Sequence, residues 1–372
     1  MSLQQWLAER ADEREAAGLV RRLHPRAPQP DLLDLAGNDY LGLSTDPRVT
    51  EAAAGAARTW GAGASASRLV TGTLELHAEL ESALAAFCGQ PAALVFSTGY
   101  HANLSIVTAL ADEDTLIVSD AHVHASLVDA CRLSRARVVV TPHNDVAAVA
   151  DALSMRTEGR ALMLVESIFS VLGDAAPLQQ LAAVCDRTDA VMIIDEAHGL
   201  GVAGTEGRGL VHDVGLAGHP GVVVSLTLSK ALGSQGGAVL APPEVVEQVV
   251  NRARPFIYDT GLAPPAAGAA LAALQVLETE PERTERVLWC AARLAEAAGV
   301  DAPTGAVLSV PMPAPDAALA GQQQAAESGV RIGCFRPPSV PDGISRLRVT
   351  ASSRLTDAEV DRACAVLARV CR

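Results

Sequence analysis

The sequence predicts an α/β fold: a large domain built on a mostly parallel, seven-stranded sheet, followed by a smaller α/β C-terminal domain. Two observations carry this expectation. Seven short apolar runs succeed one another between residues 92 and 241: "AALVFS", "TLIVSD", "RVVVTP", "ALMLVES", "VMIIDEAH", "VVVSLTLS" and "GGAVLA". They are rich in Val, Leu and Ile and lack polar alternation, as expected of strands covered on both faces. Between them lie helical segments such as "YHANLSIVTALA", "ASLVDACRLS" and "PLQQLAAVCDR". Strand then helix, repeated, makes a parallel sheet. Ligands of such sheets bind beyond the carboxyl ends of the strands.

Taken in chain order, "MSLQQWLAERADEREAAGLVRRL" is charged and heptad-like, with no apolar signal core. It reads as an amphipathic helix and not as a signal peptide. "LDLAGNDYLGLS" and the glycine-rich "GAGASASRLVTGT" precede the strand–helix series. After it, "RARPFIYDTGLAPPAAGAA" is broken by Pro and Gly and reads as a domain junction. The last hundred or so residues alternate helix and strand again. They include "VPMPAPDAALAGQQQAA", a polar loop then a helix, and end in "TDAEVDRACAVLARVC" with Thr356 as N-cap. These divisions give residues 1–45 as N-terminal helix and arm, 46–250 as large domain and 251–372 as small domain.

Composition narrows the function. At 372 residues and 49% hydrophobic the chain builds a large core, and with 3% aromatics that core is made of Ala, Leu and Val. The net charge of −14 argues against nucleic acid or an anionic membrane as partner. No apolar run approaches the roughly 18 residues that span a bilayer. Seven cysteines, odd in number and without a CxxC, point to reduced thiols in the cytoplasm and to no zinc site.

The residues just past each strand bear the chemistry. Thr98-Gly99-Tyr100 is a glycine turn into a helix, whose free N–H groups suit a phosphate; an ordinary strand-to-helix turn is the plainer alternative. His122 and His124 lack a third ligand at metal-binding spacing, so a histidine stacked on a planar ligand, or packed at a helix start, is preferred. Ser170 lies in a loop that it would serve equally as a cap. Asp195 closes a buried strand, which demands a cation or hydrogen-bond donor. A loop cap or a Mg²⁺ ligand are its alternatives, the second weakened by the lack of GxxxxGK[ST]. A dinucleotide fingerprint at Gly61 and Gly63 is unsupported, because no good strand precedes it. Lys230 stands at a strand exit in "SLTLSKALGSQGG", apolar before and glycine-rich after, in a lysine-poor chain. A lysine in an enclosed site loses its proton more easily and forms Schiff bases. Together an amine, an acid, a flat-ring partner and a phosphate seat match one cofactor, pyridoxal 5′-phosphate (PLP).

With those residues in hand the chain resembles the α-oxoamine synthases, a branch of the fold-type-I PLP-dependent transferases, from Arg21 to the last helix. The resemblance rests on "NDYLGLS", "GAGASASRLVTGT", "FSTGYHAN", "HASL", "IDEAHGLGVAGTEGRG", "TLSKALGSQGG" and "RLRVT". Within the branch it is most similar to members that condense L-alanine with a pimeloyl thioester, carried on CoA or acyl carrier protein, in biotin synthesis. "FRPPSVPDGISRLRVT" and Arg21-Arg22 ahead of "NDYLG" favour those members over glycine C-acetyltransferase, 5-aminolevulinate synthase and serine palmitoyltransferase. An aminotransferase or a non-catalytic scaffold of the same fold is a further alternative.

The resemblance implies roles by position. Lys230 takes the cofactor's aldehyde and then moves the substrate α-proton, Asp195 pairs with the pyridine nitrogen, and His124 stacks on the ring. His198 and Ser170 contact the ring hydroxyl region. Gly99, Tyr100 and Thr227 belong to the phosphate side, with Thr260 reaching the phosphate across a homodimer interface. Arg348 binds the amino-acid carboxylate and Arg346 is structural. Arg21, Asn38 and Ser339 lie on the substrate side. Apart from the resemblance, the cations Arg21, Arg22 and Arg26 offer a landing patch for either CoA or carrier protein. Leu172 stands where the family often carries an acid, Ser339 where threonine is more usual, and Val123 where relatives often have asparagine.

Overall fold

In the computed structural model, residues 1–371 are described, except 22, 29, 30, 338, 339 and 341. Twelve strands are found among them. They are β1 (Leu33–Asp34), β2 (Ala92–Phe96), β3 (Thr115–Asp120), β4 (Arg137–Thr141), β5 (Arg160–Glu166) and β6 (Val191–Asp195). The rest are β7 (Val222–Thr227), β8 (Gly237–Ala241), β9 (Val307–Pro311), β10 (Val330–Arg331), β11 (Gly333–Phe335) and β12 (Arg346–Thr350).

The seven apolar runs are the seven strands of one sheet, in the order β2-β8-β7-β6-β5-β3-β4. Only β8 runs antiparallel to its neighbours. Alternate side chains enter two separate cores. Leu116, Val118, Met163, Val165, Met192 and Ile194 face one, with Leu80, Val149 and Leu181 from helices. Ile117, Leu162, Leu164, Ile193 and Val223 face the other, with Ile106, Leu127 and Val249. Both faces are therefore apolar, which is why the strands read as unbroken hydrophobic runs. The exception is β4, which pairs only with β3 at the sheet edge and leaves Val138 and Val140 exposed.

A second, smaller sheet in the order β11-β12-β9 is antiparallel. The helix Glu282–Ala298 packs on β9, and the helix Pro315–Glu327 packs on β11 and β12. The C-terminal helix Asp357–Val370 contacts both and starts with a capping box between Thr356 and Glu359. The pair β1–β10 ties the N-terminal arm to this part of the chain. The helix Leu3–Ala16 forms as expected, but it buries none of its residues, and Leu3, Trp6 and Leu7 stay exposed. No described helix is long and apolar enough to cross a membrane. All seven cysteines are free.

The topology decides where the chemistry gathers. The carboxyl ends of the parallel strands β5, β6 and β7 lie side by side, with Glu166 opposite Asp195 and Asp195 opposite Ser225. Because β8 is reversed, its first residue, Gly237, sits against the last residues of both β2 and β7, Phe96 and Thr227.

Candidate active site

A cavity of ≈ 260 Å³ opens at these strand ends, lined by Gly99, Tyr100, His124, Glu166, Asp195, His198, Thr227 and Lys230 among others. Lys230 is the chain's sole lysine, a count legible in the sequence and more telling than its local context. Lys230 is half-buried, and desolvation in the cavity pushes its pKa down to about 8 against the opposing pull of Asp195 and Glu166. Lys230 Nζ lies 2.8 Å from His198 Nε2.

The neighbours of His198 set its tautomer. Arg348 Nη1 and Nη2 approach Asn38 Oδ1 at 3.3 and 3.2 Å, and a guanidinium only donates, so the amide oxygen must face it. The Tyr40 hydroxyl donates to that same oxygen at 3.1 Å. Tyr40 Oη is then left to accept from His198 Nδ1, 2.8 Å away. His198 Nε2 therefore turns its lone pair toward Lys230. Burial foremost, and then the Lys230 charge, holds His198 well below its ordinary pKa, in keeping with a neutral ring. Tyr40, missed as a functional residue although it sits in the "NDYLGLS" motif, joins the two halves of this chain. Its phenol is pushed up to about 12 by burial.

Asp195 is fixed as a carboxylate acceptor. Asn103 Nδ2 donates to its Oδ2 at 2.7 Å and the Ala197 N–H to its Oδ1 at 2.9 Å. Ser225 Oγ in turn donates to Asn103 Oδ1 at 2.6 Å. Asn103 was also missed; the available signal was an amide amid the apolar residues of "YHANLSIVTALA". His124 caps the helix Ala125–Ser134, and its Nδ1 accepts from the Ser126 N–H at 3.2 Å, so its proton belongs on Nε2. Burial lowers its pKa, with Asp195 opposing. Glu166, unassigned from sequence, is 2% exposed, accepts from the Ser170 N–H through Oε2 at 3.0 Å, and leaves Oε1 without a partner. Burial first and the Asp195 charge second push its pKa well up.

On the side where the sequence predicts a phosphate seat, Thr98, Gly99, Tyr100 and Thr227 line the cavity. Thr98 caps the helix Gly99–Leu110, whose first N–H groups have no acceptor within the helix. A Cβ on Gly237 would lie 2.4 Å from Gly99 N, so glycine is required for β8 to pass so close to that helix start. The other predicted residues are more scattered. Ser170 does not line the cavity, but its backbone joins two members of the site: its N–H meets Glu166 and its carbonyl accepts from Arg348 Nε at 2.7 Å. Arg346 is bound to Asp342 and to the Ile344 carbonyl, a tie within its own loop. Thr260 bridges to Ser67 and lines a separate small cleft with Arg68, Ser97 and Asp259. Arg21 is exposed in the stretch after the first helix. Ser339 and Arg22 lie outside the described residues. Among the described residues no group of three or more His, Cys, Asp or Glu is placed to hold a metal ion.

This donor set fits PLP. It offers one enclosed amine, a fixed carboxylate, a neutral imidazole lining the cavity, a helix start for a phosphate, and an orphaned buried oxygen at Glu166. Sheet and site together define a fold-type-I PLP-dependent transferase. Residues 30–367 match the aminotransferase class I and II family, and the chain belongs to it, within the group named 8-amino-7-oxononanoate synthase. It is 60% identical over 366 residues to the 8-amino-7-oxononanoate synthase of Mycolicibacterium gilvum, covering 98% of this chain and 96% of that one. It also resembles a solved serine palmitoyltransferase variant from S. paucimobilis with PLP–myriocin bound. That match has a TM-score of 0.91 and 29% identity, and covers 100% of this chain and 98% of that one. The structure of 8-amino-7-oxononanoate synthase from Francisella tularensis matches with a TM-score of 0.78 and 25% identity, covering 91% of this chain and 97% of that one.

Proposed function

We propose that the chain catalyses the decarboxylative condensation of L-alanine with a pimeloyl thioester, giving 8-amino-7-oxononanoate, CO₂ and free thiol, in biotin synthesis. The carrying observation is the sole lysine, enclosed at the strand ends and joined through His198, Tyr40 and Asn38 to Arg348. PLP, when bound, supplies an aldehyde for an amine and a protonated ring that accepts the electron pair left as a bond to the amino-acid Cα breaks.

Lys230 would hold the aldehyde end, and its Nζ would remove the alanine Cα proton, a task suited to an amine lowered to about 8. Asp195, held by Asn103 and the Ala197 N–H, keeps the proton on the ring nitrogen. His124 would cover the ring, and Gly99, Tyr100 and Thr227 would take the phosphate. Arg348 and Asn38 bind the alanine carboxylate, since Arg offers a bidentate fork. Residues 251–372 act as the small domain that brings Arg348 to the site. Arg21 and Ser339 serve the acyl side, and Arg21, Arg22 and Arg26 receive the anionic carrier, CoA or acyl carrier protein. The active form is a homodimer in which Thr260 completes the phosphate seat of the other subunit. The enzyme works in the cytoplasm, in keeping with seven unpaired cysteines.

The test is the visible spectrum of the holoenzyme during stepwise addition. L-Alanine shifts the cofactor band, and CO₂ and free thiol are released only after pimeloyl-CoA or pimeloyl-acyl carrier protein is added. A band that answers glycine and ignores alanine would move the activity to a sibling reaction.

A further inference from the structure

Outside the cavity lies a second cluster of charge, to which the reaction as proposed assigns no role. His143, in the loop after β4, has both ring nitrogens on carboxylates. Nδ1 is 2.9 Å from Asp120 Oδ1 and Nε2 is 2.9 Å from Asp174 Oδ2. Carboxylate oxygens only accept, so both nitrogens must carry protons and the ring is an imidazolium. It packs edge-on against Phe169, centroids 4.3 Å apart, and beside the ring of His122 at 4.4 Å. Its neighbour Asn144 takes φ +56, a left-handed backbone uncommon outside glycine. The Asn144 N–H donates to Asp120 Oδ2 at 2.7 Å and its Nδ2 to Asp174 Oδ2 at 3.0 Å. The charged and titratable groups around His143 are Asp120 at the end of β3, Asp174, and His122 in the turn after β3. Asp342 acts on His122 and is itself paired with Arg346.

Asp174 belongs to a tight hairpin after β5. Ile168 bridges to Ala175, and the Phe169 N–H donates to the Asp174 carbonyl at 2.9 Å. The hairpin carries Ser170, whose carbonyl holds Arg348 Nε. Its turn residue Gly173 lies so close to the smaller sheet that a Cβ there would be 2.1 Å from the Val307 carbonyl oxygen. One face of the hairpin is thus fixed by charge to the large sheet, and the other meets the strand beside Arg348.

We propose that the His143 imidazolium is a positioning residue for the amino-acid substrate: clamped between Asp120 and Asp174, it sets the 168–175 hairpin and, through the Ser170 carbonyl, the aim of Arg348. The proposal rests on the reading that Arg348 receives the substrate carboxylate. Displacing such a guanidinium by a fraction of an ångström weakens carboxylate binding while the lysine and the phosphate seat stay in place.

The experiment compares holoenzymes of wild type, His143→Gln, Asp174→Asn, the double variant and Arg348→Lys. The L-alanine dissociation constant is read from the cofactor band, and PLP affinity and the KM of pimeloyl-CoA are measured beside it. ¹⁵N-histidine NMR of the wild type reports the charge of His143 directly. Expected are an imidazolium at neutral pH and a roughly tenfold loss of L-alanine affinity in each single variant. The double variant loses no more than either single one, and PLP affinity and thioester KM are unchanged. If His143→Gln does not fold, Asp174→Asn carries the test. Wild-type alanine affinity in His143→Gln and Asp174→Asn, with affinity lost in Arg348→Lys, overturns the proposal alone. Equal losses of alanine, PLP and thioester affinity also overturn it, since the role is then merely structural. Unchanged affinity in Arg348→Lys overturns the underlying reading, and the proposal with it.

Discussion

In the proposed mechanism the chemistry turns on Lys230, and its being the only lysine makes the assignment sharply testable. Borohydride reduction of the holoenzyme, followed by peptide mass analysis, is expected to leave the cofactor mass on a single lysyl peptide. Lys230→Ala is expected to lose the visible band and at least about 10²–10⁴-fold in turnover, the share of a general base alone; normal turnover would contradict the role. Tyr40 offers a second test. Tyr40→Phe removes the hydroxyl between His198 Nδ1 and Asn38 Oδ1; Asn38 Oδ1 keeps Arg348, but the buried His198 Nδ1–H is left without its acceptor. A loss of about 1–3 kcal/mol in a denaturant melt is expected. The His198 tautomer is then free to flip, so kcat is expected to fall with it. A variant as stable and active as its parent would refute the hydrogen-bond chain.

At the scale of elements, the hairpin 168–175 and the reversed strand β8 place the groups that no single strand could bring together. β8 lets Gly237 meet both Phe96 and Thr227, closing the side of the cavity proposed to seat the phosphate. The hairpin is held by His143. Burial is the largest single influence on that ring and lowers its pKa, but the two carboxylate partners together outweigh it and raise the value from 6.5 to about 9. The folded state therefore binds this proton more tightly than the unfolded one, so the stabilisation is full below pH 6.5 and is lost as pH rises through about 9. Lys230, lowered to about 8, acts in the opposite sense at higher pH, so the comparison must be with His143→Gln. The difference in unfolding free energy between wild type and that variant is expected to shrink across this window by at most about 3 kcal/mol. A difference flat with pH would mean that His143 is neutral in the folded state.

At the scale of the whole molecule, Thr260 lies outside its own Lys230 cavity, and the proposed dimer predicts complementation. Lys230→Ala and Thr260→Ala chains, co-expressed, form mixed dimers with one fully intact site, so activity should exceed that of either variant alone. No gain on mixing would place Thr260 in its own subunit's service. Much of this architecture was legible in the sequence. Strands covered on both faces must be apolar at every position, so all seven announced themselves as runs, even β4, whose edge position the run could not show. Residues at strand ends, such as Asp195 and Lys230, stand beside those runs and could be found with them. Thr356 announced the last helix because capping is a local interaction. What only the tertiary structure decided is which distant residues meet. Tyr40 and His198 are 158 positions apart, Asn38 and Arg348 310, and Asn103 and Asp195 92. A hydrogen bond between such partners imposes no periodicity on the chain near either one. The partners of Lys230 and Arg348, the raised pKa of Glu166 and the clamp on His143 are consequences of packing, set by burial and by the order in which the strands assemble, whereas strand, helix and cap are set by neighbours along the chain.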